Sequence, residues 1–341
     1  MRLKPINTVR IAGAYEGGYR EARIPAVAAL GDGSVLMAYE ARAGKSGDWG
    51  DIDIKVVRLD KDWQRSDVLT LGESRLPGDG SMRTWGNPTF IDLGGGSVLL
   101  MFCRNYEQAF LTRSDDFGKS WSQPREITPA LRGFNYDWNV CALGPGHGCR
   151  LNNGRLVCPL WLAKGEYYDE GRKRRHWPSV CGAILSDDSG ETWTDGFLFD
   201  GSLNPSETGC AELKDGRVLF SIRNMETIKK RLFAVSSDGG KTLEKAPLPA
   251  LTDPTCFGGV CAYRGGALQI NCLNAEKRTD LTVSFSADGL NWEALYGFTG
   301  RAGYADIGAE GDSVYVFAER ESDEGGIIDR LELITFKACE A

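Results

Sequence analysis

Ser114-Asp-Asp-Phe-Gly-Lys-Ser-Trp121 is written again as Ser186-Asp-Asp-Ser-Gly-Glu-Thr-Trp193. A third copy, Ser236-Ser-Asp-Gly-Gly-Lys-Thr-Leu243, closes on Leu instead of Trp. A fourth, shorter one runs from Ser286 through Asp288 and Gly289 to Trp292, and Asp60–Trp63 is a degenerate fifth. The closing residues at 63, 121, 193, 243 and 292 are separated by 58, 72, 50 and 49 positions. A unit of that size is the signature of a repeat architecture. The phrase itself is turn chemistry: Ser and Asp side chains fold back on nearby amides, and Gly supplies the positive φ of the reversal.

Apolar runs precede the phrases: Gly182–Leu185, Leu232–Val235 and Leu281–Val283. Ser97–Cys103, Arg155–Trp161, Gly216–Arg223 and Ser313–Ala318 also have strand character, and each follows a Gly-rich turn. No long amphipathic helix is expected. Units of roughly 50–70 residues holding about four short strands describe propeller blades, and 341 residues accommodate about six. The expected fold is all-β, a six-bladed β-propeller, with residues 1–341 as one domain and no linker or charge run dividing them.

The bulk numbers agree with one large core: 42% of residues are hydrophobic and 10% aromatic. A net charge of −7 disfavours nucleic acid and anionic membranes as partners, so an anion would need locally concentrated cations. Ten cysteines form no CxxC pair and there are two histidines, which argues against a zinc site. No metal or organic cofactor is expected. The N-terminal Met1-Arg-Leu-Lys-Pro-Ile-Asn lacks the apolar core of a signal peptide, and nothing approaches the ~20 apolar residues of a membrane span. A reduced, cytoplasmic protein is the expectation.

Ala22-Arg-Ile-Pro25, followed by Ala26–Leu30, resembles the Arg-Ile-Pro signature of the exo-α-sialidase family, whose propellers carry the repeated turns as Asp-boxes, or BNR repeats. The turns alone occur in receptors and lectin-like propellers as well. The resemblance extends over essentially the whole chain and implies site residues in order. Asp48, 25 residues after Arg23, matches the family's general acid; Asp51 and Asp53 compete, although Asp53 alternates into the strand Ile52–Val57. Glu207 and Arg223, 16 apart around Gly216, match the Glu-to-Arg segment, with Glu212 as the competing carboxylate. Arg278 matches the third arginine, with Lys277 and Arg301 nearby. Tyr304 matches the nucleophile and Glu319 the carboxylate that holds the first arginine. Glu40 is expected to reach the sugar as a supporting residue. Trp49, Trp85 and Trp138 are candidates for the pocket wall, where packing is the commoner fate of a Trp. Trp85-Gly-Asn-Pro-Thr and Gly144-Pro-Gly-His-Gly also resemble sialidase loops.

The chemistry accounts for these residue types. A sialic acid carries a carboxylate on its anomeric carbon, and guanidiniums match that anion through paired charge-assisted bonds. The same charge repels an Asp or Glu nucleophile; a neutral tyrosine avoids this, and sialidases are an exception to the two-carboxylate scheme. Tyr304 then needs Glu207 as its base, helped by arginines that lower its pKa. Asp48 must keep its proton, which burial favours. The resemblance therefore implies a retaining exo-α-sialidase acting on sialylated oligosaccharides or glycoconjugates. The rivals are a hydrolase of Kdn or Kdo and a non-catalytic sialoglycan-binding propeller.

Overall fold

The computed structural model describes residues 1–44, 47–74, 83–167, 173–201, 203–322 and 326–339. Every candidate site residue lies within them; Lys45 and Ser46 of the Asp48 loop fall outside the described residues. The strands form six sheets, one per blade, antiparallel throughout except that Gly146–His147 adds a short parallel edge to the second. The first blade is Glu21–Ala29, Val35–Arg42, Ile52–Leu59 and Leu69–Gly72, and the second opens with Trp85–Gly94 and Ser97–Arg104. The third is built on Val140–Leu143, Leu156–Ala163 and Ser179–Ser186, and the fourth runs from Pro205–Glu212 and Val218–Asn224 outward. The fifth contains Gly266–Cys272 and Leu281–Ser286. The sixth joins Ala302–Glu310, Ser313–Glu321 and Ile328–Cys339 to Arg2–Gly13 from the other end of the chain. That last pairing runs from Arg2 opposite Cys339 to Gly13 opposite Arg330, so the ring is closed by backbone hydrogen bonds. Closure leaves no inner blade without a neighbour.

The blades stack face to face, so their middle strands are apolar on both sides. Val35–Arg42, Leu156–Ala163 and Ser179–Ser186 are buried at every position. This is why they read in sequence as continuous apolar runs. The expected strands at 97–103, 155–161, 216–223 and 313–318 all form, with ends shifted by a few residues. The one helical element among the described residues is a short 3₁₀ turn, Thr128–Leu131. No described helix is long and apolar enough to cross a membrane.

All five repeated phrases sit between the third and fourth strands of a blade. In the second copy Ser186 Oγ donates to Asp188 Oδ1 at 2.8 Å and accepts the Gly190 N–H at 2.9 Å. Asp188 also accepts the Thr192 N–H at 2.9 Å, and Trp193 Nε1 donates to the Gly190 carbonyl at 3.1 Å. Gly190 has φ +92°, the left-handed conformation that an L side chain resists. In the degenerate Asp60–Trp63 turn Asp60 Oδ1 accepts two backbone N–H groups, and Trp63 itself takes φ +62°. Because alternate strands run in opposite directions, these turns lie at the far end of the blades from the start of each first strand.

The turn aspartates Asp116, Asp188 and Asp238 are held at about 2. For Asp188 the Thr192 hydroxyl is the leading cause; for the other two, hydrogen bonds within the turn outweigh burial. A carboxyl depressed in the folded state stabilises fully above its unfolded value of about 3.9 and loses that contribution as pH falls through the folded value. Stability in urea is therefore expected to fall between pH 4 and 2. Asp188→Asn should make that decline shallower; an unchanged slope would contradict the assignment.

Candidate active site

The functional side chains come from two levels of each blade: the start of the first strand and the end of the second. Antiparallel pairing puts these at one face, around the axis. In four blades the first strand slips register here, skipping Ile24-Pro25, Asn87-Pro88, Ser206-Glu207 and Gly303-Tyr304. Ile24 and Asn87 both have φ +56°. A bulge bends a strand and re-aims its side chains, and these four bulges lie where Arg23, Asn87, Glu207 and Tyr304 face a cavity of 540 Å³.

Tyr304 is the centre of the arrangement. The guanidinium carbons of Arg23, Arg223 and Arg278 lie 5.5, 5.6 and 5.5 Å from its ring centroid, although the three come from the first, fourth and fifth blades. The Tyr304 hydroxyl donates to Glu207 Oε1 at 2.7 Å and accepts from Arg223 Nη1 at 2.5 Å. Arg223 Nη1 also donates to Glu207 Oε2 at 2.5 Å. Arg23 makes a forked pair with Glu319, at 3.0 and 3.1 Å. Glu319 is 1% exposed, and its two oxygens also accept the Ile24 and Tyr304 backbone N–H groups, so one carboxylate locks two bulges and one arginine. Arg278 Nη2 leans on the Thr255 carbonyl at 3.4 Å. Arg301, by contrast, turns to the Gly326 carbonyl.

Asp48 stands at the mouth, 51% exposed, with Arg42 Nη2 3.3 Å from Oδ1. Its competitor Asp53 is buried and bound to Ser74, Tyr19 and Lys55. Glu212 accepts the Asn152 N–H beside a different cavity. The sugar contact expected of Glu40 is not available. Glu40 is completely buried, and its oxygens are taken by Arg42, at 2.5 and 2.9 Å, and by the Asn87 N–H at 2.9 Å. It supports Arg42. A Cβ on Gly86 would come within 2.9 Å of that carboxylate, which accounts for the glycine in the Trp85-Gly-Asn-Pro-Thr phrase. Of the three tryptophans, Trp49 is on the cavity wall, whereas Trp85 and Trp138 are packed in the core. His147 of the Gly144–Gly148 phrase pairs with buried Asp306 at 2.9 Å, beside the second cavity.

Sequence reasoning missed Arg42, Tyr106, Trp161 and His176. Arg42 had a signal, since residues two apart on a strand share a face and Glu40 precedes it. The wall carries five guanidiniums and two carboxylates, a strongly positive recess in a chain of net charge −7. Among the described residues no group of three or more His, Cys, Asp or Glu is placed to hold a metal ion.

Two electrostatic expectations are corrected. The Tyr304 phenol is pushed well above its ordinary value: burial dominates and Glu207 adds to it, outweighing Arg223 and Arg278, which pull down. Asp48 is held below the ordinary carboxylate value. Burial pushes it up, but Arg42, with His176, Arg23 and Arg223 behind it, pulls further the other way. Asp48 is open enough to water for screening to soften that pull.

A family model of the BNR repeat-like domain matches residues 33–316. The chain belongs to this family. Among relatives of this BNR repeat-like domain protein is an exo-alpha-sialidase of Arthroderma benhamiae, 25% identical over 313 residues, covering 80% of this chain and 68% of the relative. Human Sialidase-4 is 27% identical over 277 residues, covering 69% of this chain and 52% of its own length. A Hadza microbial sialidase superposes with a TM-score of 0.80 at 22% identity, over 97% of this chain and 68% of that one. Trypanosoma rangeli sialidase gives 0.76 at 17%, over 97% and 59%. At those identities the structural matches speak for the propeller fold.

Because Glu319 satisfies Arg23 and two backbone N–H groups at once, Glu319→Ala should lower unfolding free energy by about 3 kcal/mol or more. Urea denaturation measures it, and a loss below about 1 kcal/mol would contradict this account of the site.

Proposed function

We propose that this chain is a retaining exo-α-sialidase. The observation that carries the reading is the meeting of three guanidiniums from separate blades around one phenol that is already hydrogen-bonded to a carboxylate. Such a recess fits a sugar with an acid group on its reacting carbon. Arg23, Arg223 and Arg278 clamp the carboxylate, and the Tyr304 oxygen attacks the anomeric C2. The raised phenol does not ionise alone, so its proton passes to Glu207 Oε1, 2.7 Å away, as the C2–O bond to Tyr304 forms. The bond to the leaving oxygen breaks with its electron pair, and Asp48 supplies the proton. Water then enters at C2, giving its proton to Asp48 and displacing Tyr304, which recovers its proton from Glu207. The relatives' sialidase names support the reading, as does a T. rangeli sialidase structure described as a covalent intermediate with 2,3-difluorosialic acid.

A tyrosine nucleophile suits the recess on energetic grounds. A carboxylate nucleophile about 4 Å from the substrate carboxylate would meet roughly 4 kcal/mol of repulsion at an effective dielectric of about 20. Ligand binding also bears on Asp48. A bound carboxylate offsets Arg23 and Arg223, leaving Arg42 and His176 as the groups that still depress the acid. Substrates of this chain are sialylated oligosaccharides or glycoconjugates.

Fluorogenic Neu5Ac, Kdn and Kdo α-glycosides separate the readings. Wild type should turn over the Neu5Ac glycoside and release the α-anomer first, as followed by proton NMR. Tyr304→Phe should lower kcat by more than about 10³-fold. Turnover of Kdn or Kdo alone would reassign the substrate. No turnover of any would favour a binding module, and a fully active Tyr304→Phe would overturn the nucleophile.

A further inference from the structure

The third and fourth blades meet along a seam between residues 144–152 and the strand Pro205–Glu212. At one end the Thr208 N–H donates to the Gly144 carbonyl at 3.2 Å. At the other, Glu212 Oε2 accepts the Asn152 N–H at 2.8 Å. Between these two bonds the Cys210 Sγ lies 3.3 Å from the Cys149 Sγ. Cys149 stands opposite Val157 in the third blade's ladder, and the Cys210 Sγ is also 3.6 Å from the Val157 carbonyl. The two sulfurs are therefore held over the same rung.

Both cysteines line the second cavity, of 560 Å³. Cys149 is half-buried and Cys210 is completely buried. Cys158, the next residue along from Val157, points to the opposite face of its strand, into the core shared with the second blade. Nothing in the reading of the first cavity uses any of these thiols.

We infer that Cys149 and Cys210 form an oxidation site, where a peroxide converts two thiols into a disulfide that ties the third blade to the fourth. Cys149, the more exposed of the pair, meets the oxidant. Its thiolate attacks a hydrogen peroxide oxygen, and the S–O bond forms as the O–O bond breaks. Cys149 becomes a sulfenic acid, and the released hydroxide takes the thiol's proton to give water. The Cys210 sulfur then attacks the Cys149 sulfur. The S–S bond forms, and the sulfenic hydroxyl leaves with the Cys210 proton as a second water. Two thiols lose two electrons and the peroxide gains them.

Burial, with Cys149 adding to it, keeps the Cys210 thiol protonated far above its ordinary range. That suits Cys210 to the second step, in which its proton departs with the leaving group. Closing 3.3 Å to the disulfide length of about 2.05 Å asks about 0.6 Å of each sulfur, within the ordinary thermal displacement of a side chain. A dithiol reductant reverses the bond by exchange. The bond would hold the strand that carries Glu207 at its other end, and it closes a loop spanning 61 positions.

Mass spectrometry and thermal unfolding test this on the whole folded chain. Cys339→Ser removes the one exposed thiol and serves as background. Folded protein is treated with hydrogen peroxide, then denatured and alkylated with N-ethylmaleimide. It should take up two alkyl groups fewer than its untreated control and regain both after dithiothreitol. Fragmentation of the digested protein should place the bond between Cys149 and Cys210. Adding Cys149→Ser, a change at a half-buried position, should abolish the difference. A full complement of alkylated thiols after oxidation would overturn the proposal, as would a Cys149 sulfenic acid that never condenses. A bond formed elsewhere, Cys256–Cys272 included, would overturn it as well.

A closed loop of this length should raise Tm by about 5 °C in the oxidised protein and leave Cys149→Ser unmoved. Bonded protein with an unchanged or lower Tm would contradict the tie between blades. Neither measurement uses a sialoside, so both outcomes stand apart from the proposed activity.

Discussion

Three guanidiniums gathered around one aromatic ring repel one another, and the structure is organised to make that gathering possible. Arg23 is matched by Glu319 and Arg223 by Glu207, while Arg42 behind them is matched by Glu40. Glu319 reaches Arg23 across a blade boundary, Glu207 lies on the strand beside that of Arg223, and Glu40 shares a strand with Arg42; each carboxylate is buried. Truncating one would leave a charge inside the protein without its partner, which is far more destabilising than losing a surface pair. Arg278, resting on a carbonyl, is the arginine with the weakest support. A ligand carboxylate is thus the natural completion of the recess.

The ring architecture supplies the geometry. The Arg23–Glu319 pair joins the first blade to the sixth, and the same two blades are tied by Asp306, which accepts the Val27 N–H at 2.9 Å. The sixth blade itself is completed by the N-terminal strand Arg2–Gly13. Contacts between the blades that meet at the closure therefore also hold part of the site. The repeated turns contribute at the opposite end, where they fix the outer hairpins and take no part in the cavity.

Local features were open to sequence reasoning because their causes are local. The turn phrases need Ser, Asp and Gly at fixed offsets, and the blade-spanning strands need unbroken apolar runs. The pairing of Arg23 with Glu319 spans 296 positions and was reachable through family resemblance rather than through any periodicity. Glu40 was misjudged because burial was not visible: its spacing from Arg42 spoke for an ion pair, and the pair lies beneath the wall. His176 carried no signal at all, being a lone histidine in a connecting segment. The directions for Tyr304 and Asp48 were misread for one shared reason. Each is a sum of burial and several charges, and a sequence supplies the charges without the burial or the distances.

The clamp is tested most directly by calorimetry of the unsaturated sialic acid analogue 2-deoxy-2,3-didehydro-Neu5Ac against its carboxamide. The amide lacks the negative charge and one of the two acceptor oxygens that the proposed clamp of Arg23, Arg223 and Arg278 would engage. Charge-assisted hydrogen bonds contribute about 1.5–3 kcal/mol each, so losing even two should weaken binding by about 10²-fold or more. Equal affinity for acid and amide would contradict the account at its root.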